Sequence, residues 1–177
     1  MAMNNSEALQ IVQNAYFVQD LDAAIEHWHS TFGLGPFIVN RHIKLEQAYY
    51  RGAVMPLDIS AAFVQSGDLQ IELLCQHNSG SSAFRDMFPR GQEGLHHVAV
   101  FAEDYTRVVS GYQARGFAVA TEIVAAGGMG AAFIDTRKLM GHMLEVYRVT
   151  DGLRAFYRFV AAAAHDWDGR TLTVDIH

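Results

Sequence analysis

At 177 residues, half of them hydrophobic and 18% charged, the chain has enough apolar material for one compact domain or two small modules sharing a core. Its net charge of −6 is spread without any Lys/Arg run, which disfavours nucleic acid or an anionic membrane as partner, and no apolar run reaches the roughly 18 residues of a membrane helix. The single cysteine, Cys75, excludes an intrachain disulfide, and the start of the chain has no signal-like pattern, so a cytoplasmic protein is expected.

Residues 1–10 read as an N-terminal tail. From Ile11 to Val18 the chain is β-prone, and period-2 alternation puts Ile11, Gln13, Ala15 and Phe17 on one face. Asp20 is a good N-cap for a helix whose apolar positions are Leu21, Ala24, Ile25, Trp28 and Phe32, with Gly33 as its stop. His27 and His29 flank Trp28 and read as solvated surface. After the Gly35-Pro36 turn, strands are predicted over 37–43, 47–54, 59–65 and 69–76, the last two a hairpin around Ser66-Gly67-Asp68. In the last of these Ile71 and Leu73 share a face, which leaves Glu72 on the other with Gln70 and Leu74. Residues 77–94 form a linker that opens on a Ser/Gly-rich break and carries a short helix from Ala83 to Phe88.

The pattern then restarts. Leu95 to Ala102 is a strand, and Asp104 caps a helix with Tyr105, Val108, Val109 and Tyr112 inward and Gly116 as its stop. Strands are predicted over 117–123, 131–135 and 143–149, and the Gly127-Gly128-Met129-Gly130 loop, lacking dinucleotide-fingerprint spacing, reads as a tight turn. Residues 150–177 add an amphipathic helix on Leu153, Phe156, Tyr157, Val160, Ala161 and Ala164, then a short strand from Thr171 to Ile176. This appendage is expected either to cover one end of the sheet or to contact a second subunit in a homodimer.

An offset of 84 residues sets His97 on Gln13, Phe101 on Phe17 and Asp104 on Asp20, while Leu144-Glu145-Val146-Tyr147 falls on Ile71-Glu72-Leu73-Leu74. The chain therefore divides into matched modules at 11–76 and 95–149. Gln13, Glu72, His97 and Glu145 sit on predicted strands among apolar neighbours, where an unpaired carboxylate would cost several kcal/mol or be forced neutral. Two carboxylates at matched positions call for a common partner, and a divalent cation satisfies them with the imidazole and the amide completing an N/O shell. His96 is the competing imidazole, but alternation points it to the opposite sheet face, in register with Val12. No Gly-x-Ser-x-Gly elbow, His-Glu-x-x-His or Walker loop is present.

The β-α-β-β-β repeat, the Leu95-His96-His97-Val98-Ala99-Val100 run, the Phe84 to Gly94 lead-in and the closing Met143-Leu144-Glu145-Val146 resemble the vicinal oxygen chelate superfamily of glyoxalases, bleomycin resistance proteins and extradiol dioxygenases. The likeness covers residues 11–149 and is greatest to the glyoxalase I and methylmalonyl-CoA epimerase branch. It implies an α+β fold in which tandem βαβββ modules form a curved, cup-shaped mixed sheet with helices outside, here with a C-terminal helix added. It also implies one divalent metal ion per chain (Zn, Ni, Co, Mn or Mg) held by Gln13, Glu72, His97 and Glu145. That set is similar to one found among glyoxalase I enzymes, whereas in the epimerases His usually stands where Gln13 is and Gln where Glu72 is.

The function so implied is a metal-dependent lyase or isomerase that removes a proton next to a carbonyl and stabilises the enolate, with Glu145 as the favoured base and Glu72 as its partner. The cup is expected to be lined by Phe37, Tyr49, Phe63, Phe133 and Tyr147, which suits a small molecule with a hydrophobic acyl group or ring. No basic pair is assignable to a glutathione carboxylate or a CoA phosphate, Arg41, Arg51 and Arg90 being the candidates. Two alternatives stand beside it. An extradiol-type ring-cleaving dioxygenase would use iron(II) on two His and one carboxylate, and a non-enzymatic, ligand-sequestering protein of the bleomycin-resistance kind would use the cup alone.

Overall fold

The computed structural model describes residues 8–125 and 128–176. Most of the expected tail, and Gly127 of the glycine loop, lie outside these residues. The first half runs β1 (Ile11–Phe17), α1 (Leu21–Phe32), β2 (Phe37–Asn40), β3 (Leu45–Tyr50), β4 (Ala53–Val54), β5 (Ile59–Ser66) and β6 (Leu69–Gln76). A short α2 (Ala83–Met87) leads into β7 (Gly94–Ala102), α3 (Tyr105–Ala114), β8 (Val119–Ala125), β9 (Gly130–Ile134), α4 (Arg137–Met140) and β10 (Met143–Arg148). The chain closes with α5 (Asp151–His165) and β11 (Thr173–Ile176).

The helix ends follow from capping chemistry. Asp20 accepts from the Ala23 N–H, and Gly33 takes the left-handed conformation (φ 69°) that lets its N–H close on the His29 carbonyl. Asp104 and Thr150 cap α3 and α5 through the N–H groups of Arg107 and Leu153. The strand expected over 37–43 stops at Asn40, and the one expected over 47–54 is broken in two. At the break Arg51 and Gly52 both have positive φ (48° and 84°), the backbone twist a two-residue hairpin requires. The sequence reading did not anticipate the single-turn α4.

The strands form one mixed sheet in the order β11-β2-β5-β6-β1-β7-β10-β9-β8-β3-β4. Its centre is the antiparallel β1–β7 pair, flanked by the parallel pairs β1–β6 and β7–β10. The order β1-β6-β5-β2 on one side thus repeats as β7-β10-β9-β8 on the other, which is the duplicated α+β cup expected. The β3–β4 hairpin is the departure: it comes from the first half yet pairs with β8 of the second. At the opposite edge β11 pairs with β2.

Apolar side chains sort into three clusters. Val18, Leu21, Ile25 and Leu73 pack α1 on the outer face of the first half, and Val100, Tyr105, Ile134 and Val146 pack α3 on the second. The third cluster fills the concave face with Phe17, Ile38, Phe63, Leu74, Phe84 and Phe133. Helix α5 lies over this face, with Val160 in that core and Phe156 edge-on to Phe63 at 4.9 Å. The appendage therefore packs over the concave face rather than over one end of the sheet. Among the described residues no helix is long and apolar enough to cross a membrane.

Candidate metal centre

The floor of the cup is built where β1, β6, β7 and β10 run side by side. Across it, Ala15 lies between Glu72 and His97, and Ala99 lies between Gln13 and Glu145. The two small residues leave room above the sheet for the longer polar ones, and a pseudo-twofold axis between β1 and β7 relates Gln13 to His97 and Glu72 to Glu145. Register shifts occur at matched points: an extra residue, Val12, on β1 and an extra residue, His96, on β7. A β-bulge of this kind adds a residue on one strand and re-aims the side chains beside it.

Three of the four expected ligands converge. His97 Nε2 lies 3.0 Å from Glu145 Oε2 and 3.5 Å from Glu72 Oε2, and all three residues are buried. One donor atom from each falls within 4.8 Å of the other two. Gln13 is fully buried, but its amide is engaged elsewhere: its Nε2 donates to Gln70 Oε1 at 2.7 Å, and its Oε1 accepts from the Tyr147 hydroxyl at 3.3 Å.

His96 does not point to the opposite face. The bulge cancels the alternation, and its ring stands beside that of His97 with the two Nδ1 atoms 2.8 Å apart. Its Nε2 lies 3.0 Å from the Ala83 carbonyl, which only accepts, so that nitrogen carries the proton. Burial, and then the neighbouring His97, hold the His96 pKa well below its ordinary value, so the ring is neutral and its Nδ1 is an acceptor. The His97 Nδ1 must therefore donate, and Nε2 is left to face the two carboxylates. Ala83 is itself fixed, its N–H donating to Thr121 Oγ1 at 2.8 Å.

With a lone pair on Nε2, the three groups facing one another would be acceptors only. A positive species between them removes the conflict, either a proton on Nε2 or a metal ion. Burial lowers the His97 pKa, but Glu145 and then Glu72 outweigh it and push it up to about 9. Burial raises the Glu72 carboxyl, opposed by His97. Five buried side-chain polar atoms lack a hydrogen-bond partner among the described residues, and four of them, Gln70 Nε2, His97 Nε2, Glu145 Oε2 and Tyr157 Oη, belong to residues lining the cup. One imidazole nitrogen and two carboxylates oriented in this way fit a divalent transition ion, with His96 fixing the ligand tautomer from behind. His96→Phe is expected to weaken divalent-ion binding about 10- to 100-fold. Competition against a chromogenic chelator reads this directly, and unchanged affinity would remove the positioning role.

The cavity above the floor has a volume of about 570 Å³. Phe63, Phe133 and Tyr147 line it as expected. Phe37 and Tyr49 do not. Phe37 packs with α1 on the outer face, because Ile38 takes the inward position on β2. Tyr49 leaves the cup because β3 crosses to the far edge, where it pairs beside Glu122. The residue the sequence reading missed is Tyr157, taken as one more apolar-face position of its helix, although a phenol on a buried stripe needs a hydrogen-bond partner. A second cluster, His42, Asp58 and His77, lies on the α1 side of the sheet. One ring nitrogen of each histidine is engaged, His42 Nδ1 with Asp58 at 2.7 Å and His77 Nε2 with Ser60 Oγ at 2.7 Å.

The family model of the Glyoxalase/Bleomycin resistance protein/Dioxygenase superfamily matches residues 12–133. The chain belongs to that superfamily. A hypothetical protein from Bacillus halodurans shares its fold at a TM-score of 0.57 and 17% identity, over 82% of this chain and 97% of that one. Methylmalonyl-CoA epimerase from Mycobacterium tuberculosis aligns at 0.56 and 18%, over 86% and 97%. The Streptomyces coelicolor epimerase in complex with 2-nitronate-propionyl-CoA aligns at 0.52 and 16%, over 81% and 99%. At these identities the likeness within the superfamily concerns fold. None of the curated proteins compared with the chain matches it.

Proposed function

We propose that this superfamily member is a metal-dependent isomerase or lyase that moves a proton on the carbon next to a carbonyl. The observation that carries the reading is the pair Glu72 and Glu145, buried at matched positions on either side of His97 at the floor of an apolar cup. A divalent ion on His97, Glu72 and Glu145 would polarise the substrate carbonyl and lower the cost of the developing enolate.

The chain's own residues do the rest. Glu145 takes the proton from the carbon, and Glu72, whose carboxyl pKa burial raises above its ordinary value, returns one from the other side. Return to the opposite face inverts the carbon; return elsewhere on the enolate moves the double bond. The apolar walls keep water from the carbanion.

The iron-dependent alternative requires a second free imidazole. His96 is tied to Ala83 and His97, and Gln13 holds the position where that imidazole would stand. The deciding experiment pairs elemental analysis of the purified protein with proton exchange in deuterated water over a panel of small oxo compounds. About one divalent ion per chain, and deuterium entering at the carbon next to the carbonyl, are expected. A metal-free protein that catalyses no exchange would leave a ligand-sequestering protein as the better reading.

A further inference from the structure

We propose that the cup takes an uncharged, largely apolar carbonyl compound, and that Tyr157 of the covering helix donates a hydrogen bond to the substrate oxygen on which negative charge develops. This rests on the reaction proposed above and names its substrate class.

The lining decides the charge. Apolar groups such as Phe63, Leu74, Phe84, Ile123, Phe133 and Phe156 make up the walls. The only acidic or basic side chains in the described lining besides His97 are Glu72, Glu145 and Asp151, all carboxylates, with no Lys or Arg. A phosphate or carboxylate on the substrate would enter a low-dielectric space that offers no Lys or Arg to receive it, the charge of a divalent ion on the floor being already balanced by Glu72 and Glu145. The arginines named as candidates for a phosphate-tailed carrier are committed or lie outside the lining. Arg41 is bound by Asp22 at 2.7 Å and Asp175 at 2.9 Å, Arg51 by Asp86 at 2.6 Å, and Arg90 is exposed and does not line the cup. The cavity of about 570 Å³ falls within the roughly 300–1,000 Å³ that encloses a compact organic molecule.

The donor comes from outside the repeat. Of the two phenols that face the cup, Tyr147 donates to Gln13, whereas the Tyr157 hydroxyl is buried beside that of Tyr147 with no well-formed hydrogen bond among the described residues. Its ring is held edge-on against Phe101 at 4.8 Å, so the hydroxyl is a fixed donor. Burial, followed by Glu145 and Glu72, keeps its pKa well above the ordinary phenol value, and the proton stays available for donation. A buried donor with no well-formed hydrogen bond to the protein, on the side of the cup facing two carboxylates, matches an oxygen brought by the ligand.

The test uses the protein as purified, with benzylacetone as neutral ketone, butylbenzene as its counterpart without the oxygen, benzylacetone bearing a ring carboxylate, and phenylacetyl-CoA. Dissociation constants come from ligand-observed NMR, and exchange of the ketone's acidic hydrogens from deuterium uptake. The neutral ketone is expected to bind at least tenfold more tightly than either anionic compound; the reverse order overturns the substrate class. In Tyr157→Phe the ketone-to-hydrocarbon affinity ratio is expected to fall fivefold or more with metal content unchanged, and exchange to slow by about 10²-fold. A structural role would weaken ketone and hydrocarbon alike, so an unchanged ratio overturns the assignment of Tyr157. The binding arms do not depend on turnover: if no probe exchanges while both affinity orders hold, the proposed reaction fails, and the neutral ligand class and the Tyr157 contact to its oxygen stand without it.

Discussion

Glu145→Gln is expected to reduce proton exchange at the carbon next to the carbonyl by about 10³-fold or more, within the range a positioned base contributes. The carboxylate is buried, its Oε2 has no hydrogen-bond partner among the described residues, and it sits 3.0 Å from His97 Nε2. The amide keeps the shape while removing both the basic oxygen and one of the two negative charges that oppose each other across the site. Divalent-ion occupancy should fall with it. Glu72→Gln is expected to differ in kind: exchange persists at a reduced rate, while inversion of the carbon slows much further, because the group that returns a proton from the other side is gone. Deuterium uptake and optical rotation measured on the same samples separate the two. Exchange near the wild-type rate in Glu145→Gln would assign the base elsewhere.

After chelation of metal, stability is expected to fall as pH rises from about 6.5 to about 9. Burial works against the charged ring of His97, but Glu145 and then Glu72 raise its pKa from 6.5 to about 9. A folded-state value above the unfolded one means that the folded protein binds the proton more tightly. The stabilisation is therefore complete below pH 6.5 and is lost as pH climbs through 9. The raised Glu72 carboxyl acts in the same direction. At about 1.4 kcal/mol per pKa unit the His97 contribution amounts to a few kcal/mol at most. Urea midpoints at intervals across this window, with chelator and with saturating zinc, check it. The zinc-bound protein should be flat, because an ion on Nε2 replaces the proton, and apparent zinc affinity should rise with pH over the same interval. A flat profile in chelator would place His97 outside the acid pair's influence.

Much of this site was legible in the amino-acid order because the duplicated halves keep their spacing. Period-2 alternation put Glu72 apart from Ile71 and Leu73, and the repeat then matched it to Glu145 and matched Gln13 to His97. Alternation failed where its premise of an unbroken ladder failed. The extra residue on β7 turned His96 to the side of His97, and nothing in Leu95-His96-His97 announces a bulge. It failed again at Phe37, because Phe37, Ile38 and Val39 are all fully buried and both faces of β2 look alike in sequence. Tyr49 was misplaced for a non-local reason: no pattern within residues 45–54 says that the hairpin pairs with a strand some seventy residues away. Tyr157 lay in plain view on an apolar stripe, and the question of which acceptor its hydroxyl meets identifies it.

That hairpin, taken with β11, makes the two halves hold each other. The first half extends the margin of the second through β3, and the last residues of the chain return to extend the margin of the first through β2. Exchange of halves between two molecules, an easy accident for a duplicated protein joined by a linker, would have to unzip both of these reciprocal ladders at once. The lacing thus favours each chain closing on itself, with the two acids and the imidazole drawn from a single polypeptide.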